Sequence, residues 1–154
     1  MFDLVWAHWD EKPEIFQAIE KFISMRAWNK PREFGLGRAL AIADKGTVIA
    51  GLIYHNYDPD TGVIEISAAS DSKRWLTKPV LRAMFEFPFV GLGCQAVALR
   101  CDADAPNNLS RILPSYGFKR YDIPRLRGRD KIEAIYVLSD DDWKGNKFNR
   151  GNAS

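Results

Sequence analysis

Hydrophobic and polar positions along the chain predict seven strands and three helices, followed by a short final turn. Ile15, Ile19 and Ile23 recur at helical spacing, so we expect an amphipathic helix over Pro13–Trp28. Short apolar or alternating runs bounded by turn residues predict strands instead. The strands are expected at Phe2–Ala7, Ala39–Ala43, Thr47–His55, Val63–Ala69, Gln95–Asp102, Phe118–Ile123 and Ile132–Leu138, and a short helix at Pro106–Tyr116.

The turns between these segments indicate the class of fold. Asp44, Lys45 and Gly46 form a tight hairpin signal, and the sequence NYDPDTG at 56–62 is a second turn. Three strands joined by such turns make an antiparallel meander. The helix that follows is a crossover connection, which favours parallel neighbours or strands that diverge. The order of elements predicts an α+β fold with a mixed central sheet.

The stretch Gly62–Gly91 organises the rest of the chain, because it is expected to form a strand, a polar loop and a helix in succession. Thr77 can cap the helix, and Pro79 is acceptable in its first turn. A helix N-terminus that follows a strand and a polar loop is suited to bind phosphate, and Lys73 and Arg74 add positive charge there. The alternative is an ordinary connection with solvated basic residues.

Length and composition limit the remaining choices. A chain of 154 residues with 46% hydrophobic and 27% charged residues is expected to fold as one domain over residues 1–143, with a polar flexible tail at 144–154. We expect no membrane span and no signal peptide. Cys94 and Cys101 have odd spacing on one predicted strand and face opposite sides, which suits a reducing cytoplasm. A net charge of +2 does not by itself favour nucleic acid.

Three segments carry a resemblance to a known family. NNLSRILPSYGF at Asn107–Phe118 resembles the Asn-x-x-Ser to Gly-Phe segment of the GNAT superfamily of acyl-CoA-dependent N-acyltransferases. RLRGRDKIEAIYVLSDDDW resembles the C-terminal end of the branch that acetylates protein N-termini, and Leu81–Leu99 resembles the long helix and next strand of that branch. The resemblance covers roughly Ala39–Trp143 and is also compatible with a divergent, phage-type member.

Two positions depart from the family pattern. The family's pyrophosphate loop, Gln/Arg-x-x-Gly-x-Gly/Ala, is matched here by residues 72–77, which contain no glycine. Many relatives place a tyrosine that protonates the leaving thiolate where this chain has Leu113 or Pro114. The nearest phenol is Tyr116, which is out of register.

The resemblance implies a mixed, mostly antiparallel central sheet with helices on both faces, splayed between two central parallel strands. It also implies acetyl-CoA as the acyl donor. The pantetheine arm would pair with the backbone of Ile66, Ser67, Ala68 and Ala69. The pyrophosphate would be held by the loop residues Ser72, Lys73, Arg74, Trp75, Leu76 and Thr77. The arm or the adenosine side would be contacted by Asn107 and Ser110.

In amine acyl transfer the acceptor must lose a proton, either to a base or through ordered water. Glu65 is the first candidate, because burial within an apolar strand would raise its pKa toward neutrality, although it can instead face solvent or form a salt bridge. His55 is the second, at the end of a strand, with a turn-supporting role as the alternative. Tyr116 is the remaining candidate, for the leaving thiolate. The loop Glu33–Arg38 is expected to form a lip over a substrate cleft, and Trp75 can cover the cofactor.

Three functions follow from these observations. The first is direct transfer of an acetyl group from acetyl-CoA to a primary amine, by a monomer or a homodimer. The second is modification of nucleic acid bases, because Arg125, Arg127 and Arg129 form a basic cluster that can bind phosphate. The alternative interpretation of this cluster is a solvated hairpin. The third is a GNAT-fold binding protein without catalysis, which would explain the missing glycines.

Overall fold

The computed structural model describes residues 1–104 and 109–150, and each predicted strand and helix is present in them. The hydrophobic pattern thus predicted the type of all seven strands and of the three longer helices. The strands are β1 Asp3–His8, β2 Arg38–Asp44, β3 Thr47–Asp58, β4 Val63–Ser70, β5 Ala96–Asp102, β6 Lys119–Pro124 and β7 Ile132–Ser139. The helices are α1 Pro13–Trp28, α2 Lys78–Glu86 with a π-helical turn at Phe87–Gly91, α3 Leu109–Tyr116, α4 Asp140–Gly145 and α5 Lys147–Arg150.

The chain divides into two compact units. The first contains Met1–Tyr57 and Glu65–Met84, and the second contains Asp58–Ile64 and Phe85–Ser154. The single domain expected over residues 1–143 stays a prediction.

In the first unit the strands lie in the order β1-β2-β3-β4. β2 is antiparallel to both β1 and β3, with an irregularity between Ile42 and Ala43. Lys45 and Gly46 both have positive φ angles, 50° and 85°, at the turn between β2 and β3. Two consecutive residues in this conformation are typical of the hairpin turns that match the twist of paired strands. The predicted hairpin is therefore confirmed.

Helices lie on both faces of the first unit's sheet. Ile53 belongs to a buried cluster with Ile19 and Ile23 of α1. The next residue, Tyr54, points to the opposite face, because consecutive side chains of a strand alternate. There its hydroxyl donates a hydrogen bond of 2.5 Å to the carbonyl oxygen of Met84 in α2. The alternation of β3 therefore places α1 and α2 on opposite sides.

The second unit contains the strands β5-β7-β6, paired antiparallel in that order. Its core is a set of stacked and tilted aromatic rings with centroid separations of 5.1–6.5 Å. Gly117 ends α3 with φ 120°, and the N–H of Phe118 reaches back to the carbonyl oxygen of Leu113. This is the predicted role of a glycine after a helix. The rings belong to Phe85, Phe89, Tyr116, Phe118 and Trp143.

The polar tail predicted from residue 144 was wrong up to residue 150. Asn146 is buried, and its side-chain amide donates to the carbonyl oxygen of Tyr116 at 3.0 Å. A short helix follows at Lys147–Arg150, and the Phe148 ring lies 5.2 Å from that of Tyr116. Polar composition suggested a solvated end, but one buried amide and one aromatic ring hold this segment against the second unit.

The fold class predicted from the sequence, α+β with a mixed, mostly antiparallel sheet, is confirmed. The opening between two central parallel strands stays a prediction. Both cysteines are free thiols. Within residues 1–104 and 109–150, no helix combines the length and apolar character needed to cross a membrane.

Candidate functional site

Three polar side chains meet where β3 and β4 run side by side in the first unit. Nε2 of His55 lies 2.8 Å from Oγ of Ser67 and 3.6 Å from a carboxylate oxygen of Glu65. Glu65 and Ser67 are two residues apart on β4 and therefore face the same side of the sheet. The hairpin between β3 and β4 brings His55 to them. We call these three residues the histidine cluster.

The imidazole of His55 is 7% exposed and is the most buried member of the histidine cluster. Burial lowers its pKa below the ordinary value of histidine, because a charged imidazolium is poorly solvated there. The Glu65 carboxylate acts in the opposite direction and partly restores the pKa. At neutral pH the imidazole is therefore unprotonated and can accept a proton.

Glu65 is placed differently from the sequence expectation. Its side chain is 22% exposed, so it is half-buried and not fully enclosed within the apolar strand. The side-chain amide of Asn56 donates to its other carboxylate oxygen at 3.3 Å. Asn56 has a positive φ of 53°, a conformation that asparagine tolerates better than most residues. In this geometry the carboxylate faces the imidazole from the more exposed side of the cluster.

The loop between α1 and β2 packs against the histidine cluster. The ring of Phe34 meets that of His55 edge-on, with centroids 5.3 Å apart. The backbone N–H of Phe34 donates to a carboxylate oxygen of Glu20 at 2.7 Å, and Glu20 is 7% exposed. Burial raises the pKa of Glu20, opposed by that hydrogen bond. A buried carboxylate of α1 thus fixes the backbone of the loop beside His55. Its predicted role as a substrate lip stays a prediction.

Gly37 ends this loop where the chain passes close to β3. A Cβ atom at this position would lie 2.3 Å from the carbonyl oxygen of Tyr54, a distance that non-bonded atoms do not reach. The carbonyl oxygen of Gly37 accepts a hydrogen bond from the N–H of Trp9. Only glycine permits this approach. The loop is therefore held at two points, near its middle by Glu20 and at its exit by Gly37.

The predicted phosphate loop follows β4 in the same unit. The hydroxyl oxygen of Ser72 accepts from the N–H of Arg74 at 3.1 Å, and that of Thr77 accepts from the N–H of Val80 at 3.4 Å. The predicted cap by Thr77 is confirmed by this bond. Both oxygens are thus engaged as acceptors within the chain. Lys73 and Arg74 are exposed, and they are the cations here that suit an anionic ligand.

Other residues of the loop have structural contacts. Asp71 forms two 2.7 Å hydrogen bonds with the guanidinium of Arg26, which lowers the pKa of Asp71. Trp75 is 6% exposed and Leu76 is half-buried. The buried ring fits the alternative role of a core residue, and the expectation that Trp75 covers a cofactor stays a prediction. The loop is anchored at α1 by an ion pair and in the core by an indole.

The remaining predicted site residues belong partly to the first unit and partly to the second. Ile66 is fully buried, whereas Ala68 and Ala69 are half-buried on β4. Tyr116 is 1% exposed in the second unit, where its hydroxyl accepts from the indole N–H of Trp143 at 3.1 Å. This packing explains Tyr116 as a core residue. Ser110 is exposed near the start of α3, and Asn107 lies outside the described residues.

Sequence reasoning missed three contributions to the site. It nominated Ser67 for its backbone alone, gave no role to Glu20, and included Phe34 only as part of the expected lip. A signal for Glu20 was present, because it lies four residues after Phe16 and three before Ile23 on the apolar stripe of α1. A carboxylate on such a stripe is buried and needs a donor.

The predicted basic cluster is partly neutralised. Nε of Arg127 lies 3.0 Å from one carboxylate oxygen of Glu133, and Nε of Arg100 lies 2.8 Å from the other. Glu133 is 4% exposed, so the two arginines compensate a buried charge. Arg125 and Arg129 remain exposed. Among the described residues, no group of three or more His, Cys, Asp or Glu could hold a metal ion.

Comparison with known proteins supports the fold. No family model and no curated protein sequence matches this chain. Solved structures do match. A candidate acetyltransferase from Acinetobacter baylyi ADP1 has a TM-score of 0.67 at 14% identity, over 92% of this chain and 94% of that one. A GCN5-related N-acetyltransferase from Brucella melitensis has a TM-score of 0.58 at 20% identity, over 73% and 54%.

A third match is the N-terminal domain of a ribosomal-protein-alanine acetyltransferase from Clostridium acetobutylicum, with a TM-score of 0.54 at 16% identity, over 73% of this chain and 91% of that one. The match spans only 54% of the Brucella protein and 64% of each of two further acetyltransferase structures. At these identities the comparisons establish the fold. The chain has the fold of the GNAT acetyltransferases.

Proposed function

We propose that this protein is a GNAT-type acyltransferase that moves an acetyl group from acetyl-CoA directly to a primary amine. The observation that carries the proposal is the histidine cluster: a buried imidazole within 3.6 Å of a carboxylate and 2.8 Å of a hydroxyl, in a fold shared with acetyltransferases. A binding protein with the same fold has no need for an unprotonated histidine held in this way.

In the proposed reaction, His55 accepts a proton from the ammonium form of the acceptor, which frees the amine lone pair. Glu65 stabilises the imidazolium that forms, because its carboxylate oxygen lies 3.6 Å from Nε2. Ser67 holds the ring in position through its 2.8 Å contact. The amine nitrogen then attacks the thioester carbon and the carbon–sulfur bond breaks. The nitrogen releases its second proton, which reaches the leaving thiolate through water, and the His55 imidazolium returns its proton to solvent.

The donor would be held by the loop after β4. Lys73 and Arg74 are exposed there and would pair with the diphosphate of acetyl-CoA. The oxygens of Ser72 and Thr77 already accept backbone N–H groups, so their role would be to fix the shape of the loop. In this proposal the charges of Lys73 and Arg74 replace the close backbone contacts that glycines make with phosphate in the family's loop.

The acceptor is proposed to be a peptide with a free N-terminus. This follows from the sequence resemblance to the branch that acetylates protein N-termini, and one structural match is named a ribosomal-protein-alanine acetyltransferase. The exposed Leu36 of the α1–β2 loop offers an apolar contact for a first side chain. We expect an intracellular, cytoplasmic setting, where acetyl-CoA and free thiols occur.

The test is release of free thiol from acetyl-CoA in the presence of candidate amines. Peptides with a free N-terminus are compared with the same peptides blocked at the N-terminus but carrying lysine, and with small amines. Mass spectrometry then locates the added acetyl group. Activity on free N-termini alone supports the proposal, and activity on lysine or a small amine replaces the acceptor but keeps the reaction. No thiol release with any amine contradicts it.

A second function has a specific observation in its favour. The loop lacks glycine, and its two hydroxyl oxygens are occupied by the chain itself, which favours a GNAT-fold binding protein without catalysis. Thermal unfolding with acetyl-CoA at millimolar concentration separates the two functions. A ligand that binds the native state raises the unfolding midpoint, so no shift would favour the binding protein. Duplex DNA is included in the same experiment, because Arg125 and Arg129 are exposed.

A further inference from the structure

Strand β6 is the outer strand of the second unit. It pairs with β7 on one side, and no other strand among the described residues pairs with it on the other. All six of its residues are exposed, including Tyr121 at 53% and Ile123 at 37%. An edge strand presents unpaired N–H and C=O groups. Large apolar side chains beside such groups form a surface suited to another strand.

The charges of β6 are arranged so that the strand complements itself. Arg120 and Asp122 lie on one face of the strand and already pair at 2.7 Å within the chain. Lys119, Tyr121 and Ile123 lie on the other face. When two identical strands pair antiparallel about a two-fold axis, side chains that face each other point to the same side of the sheet. Each residue therefore faces a residue an even number of positions away in the sequence, and the axis lies between the two copies of one residue.

This constraint leaves few registers. An axis through Arg120 would place two arginines opposite each other, and an axis through Asp122 would place two aspartates opposite each other. Like charges that face each other across strands are destabilising. An axis through Tyr121 instead places Arg120 opposite Asp122 of the other copy, twice. It also stacks the two tyrosines and lays the stem of Lys119 along Ile123.

We propose that two copies of this chain pair through β6, antiparallel and centred on Tyr121, to form a homodimer with a sheet that continues across the two-fold axis. The four charged side chains then alternate in sign on one face, and the two phenol rings meet on the other. Pro124 has no backbone N–H, so the new ladder ends there and does not continue into the β6–β7 loop.

Sedimentation velocity across about 1–500 μM protein is the first measurement, because association depends on concentration. We expect a shift from the mass of one chain to that of two. A chain that remains monomeric over the whole range overturns the proposal and leaves the edge to a different protein or to solvent.

A charge exchange tests the register. Arg120→Asp makes this face of the strand acidic and Asp122→Arg makes it basic, so each variant alone is expected to be monomeric. Mixed together they restore both cross-strand pairs, and a heterodimer is expected. Mixing does not restore the ion pair within either chain, so recovery of stability inside one copy cannot explain it.

The matched control places the same charges off the strand. Arg129→Asp and Asp130→Arg are changes at exposed neighbours in the β6–β7 loop. Each of these variants is expected to dimerise like the original chain. If the loop variants behave like the strand variants, general charge attraction accounts for the result and the proposed register is wrong.

Disulfide crosslinking of cysteine variants tests at which residue the two-fold axis lies. Tyr121→Cys places two thiols opposite each other across the two-fold axis, within reach of a disulfide. Mild oxidation is expected to give a covalent dimer that a reductant separates. Ile123→Cys faces Lys119 of the other copy and is expected to remain uncrosslinked. Equal crosslinking of the two variants, or crosslinking of Ile123→Cys alone, would contradict an axis at Tyr121.

Discussion

At the scale of single residues, the environment of His55 determines the chemistry available to the first unit. Its ring is buried against Phe34, touches Ser67 and faces Glu65. Burial keeps the ring unprotonated and lowers its pKa, and the neighbouring carboxylate becomes useful only when the ring gains a proton. These two opposing influences are what a proton acceptor needs, because it must be free before the reaction and stabilised during it.

Replacing the imidazole tests this assignment. His55→Gln is expected to lower kcat/KM for acetyl transfer by about 10²–10⁴, the usual contribution of a general base. The matched control is His8→Gln at the other histidine of the chain, whose Nδ1 accepts the N–H of Asp10. Steady-state thiol release measures both variants, and thermal unfolding verifies that each is folded. Equal activity of the two variants would remove His55 from the mechanism.

Glu65→Gln gives a prediction for pH. The Glu65 carboxylate raises the pKa of His55, so without it burial lowers that pKa further. The unprotonated ring then persists to lower pH, and the acidic limb of kcat/KM against pH is expected to move to lower pH. Glu11→Gln, at an exposed position, serves as the control. If Glu65 is instead the base, activity falls at every pH and the limb does not move.

The sequence identified both His55 and Glu65 as candidates for the base and placed Glu65 first, whereas the proposed mechanism places His55 first. An apolar strand suggested that Glu65 was buried, yet its position near the end of a hairpin leaves it partly in solvent. His55 is buried by Phe34, which lies 21 residues earlier in a loop. Local patterns do not contain contacts of that kind, so neither the burial of His55 nor its pKa was accessible.

At the scale of elements, the first unit depends on a link between β3 and α2. The hydroxyl of Tyr54 donates to the carbonyl oxygen of Met84, and Tyr54 is 1% exposed. Burial raises the pKa of this phenol far above its ordinary value, so it remains a donor throughout the accessible pH range. The link fixes the helix that follows the predicted phosphate loop.

Tyr54→Phe is expected to reduce the free energy of unfolding by about 1–3 kcal/mol, because the buried carbonyl of Met84 loses its donor. Tyr57→Phe is the matched control on the same strand, since Tyr57 is 43% exposed. Chemical denaturation measures both. A loss that is equal in the two variants would show that the buried hydrogen bond has no special weight.

Element types and most element ends followed from periodicity and turn chemistry. The π-helical turn at Phe87–Gly91 did not, because it continues the apolar pattern of α2 and differs only in its hydrogen bonds. The helix α5 was also missed. Four residues of mixed polarity carry no periodic signal, and its placement depends on contacts with the distant Tyr116.

At the scale of the whole molecule, the chain after β7 completes the core of the second unit. Trp143 stacks on Phe89 and donates to Tyr116, and Asn146 donates to the backbone of Tyr116. The aromatic core therefore includes residues that composition alone assigns to a solvated tail. The fold class was predictable, since it depends on element order, whereas the boundary of the core was not.

Removal of residues 146–154 tests this role. The buried backbone of Tyr116 loses the Asn146 amide, and the free energy of unfolding is expected to fall by about 1–3 kcal/mol. A chain that ends at residue 150 is the control, because it keeps Asn146 and Phe148. Denaturant titration measures both. Equal stability of the two shortened chains and the original would mean that this segment adds nothing to the core.

The close approach at Gly37 limits how the sequence of the α1–β2 loop can be altered. Directed changes of specificity usually begin with saturation of a whole loop, but here position 37 excludes the nineteen larger amino acids on steric grounds. Useful diversity is confined to the exposed positions before it, such as Leu36. A library that spares the glycine would retain folded members, and one that randomises it would lose most of them.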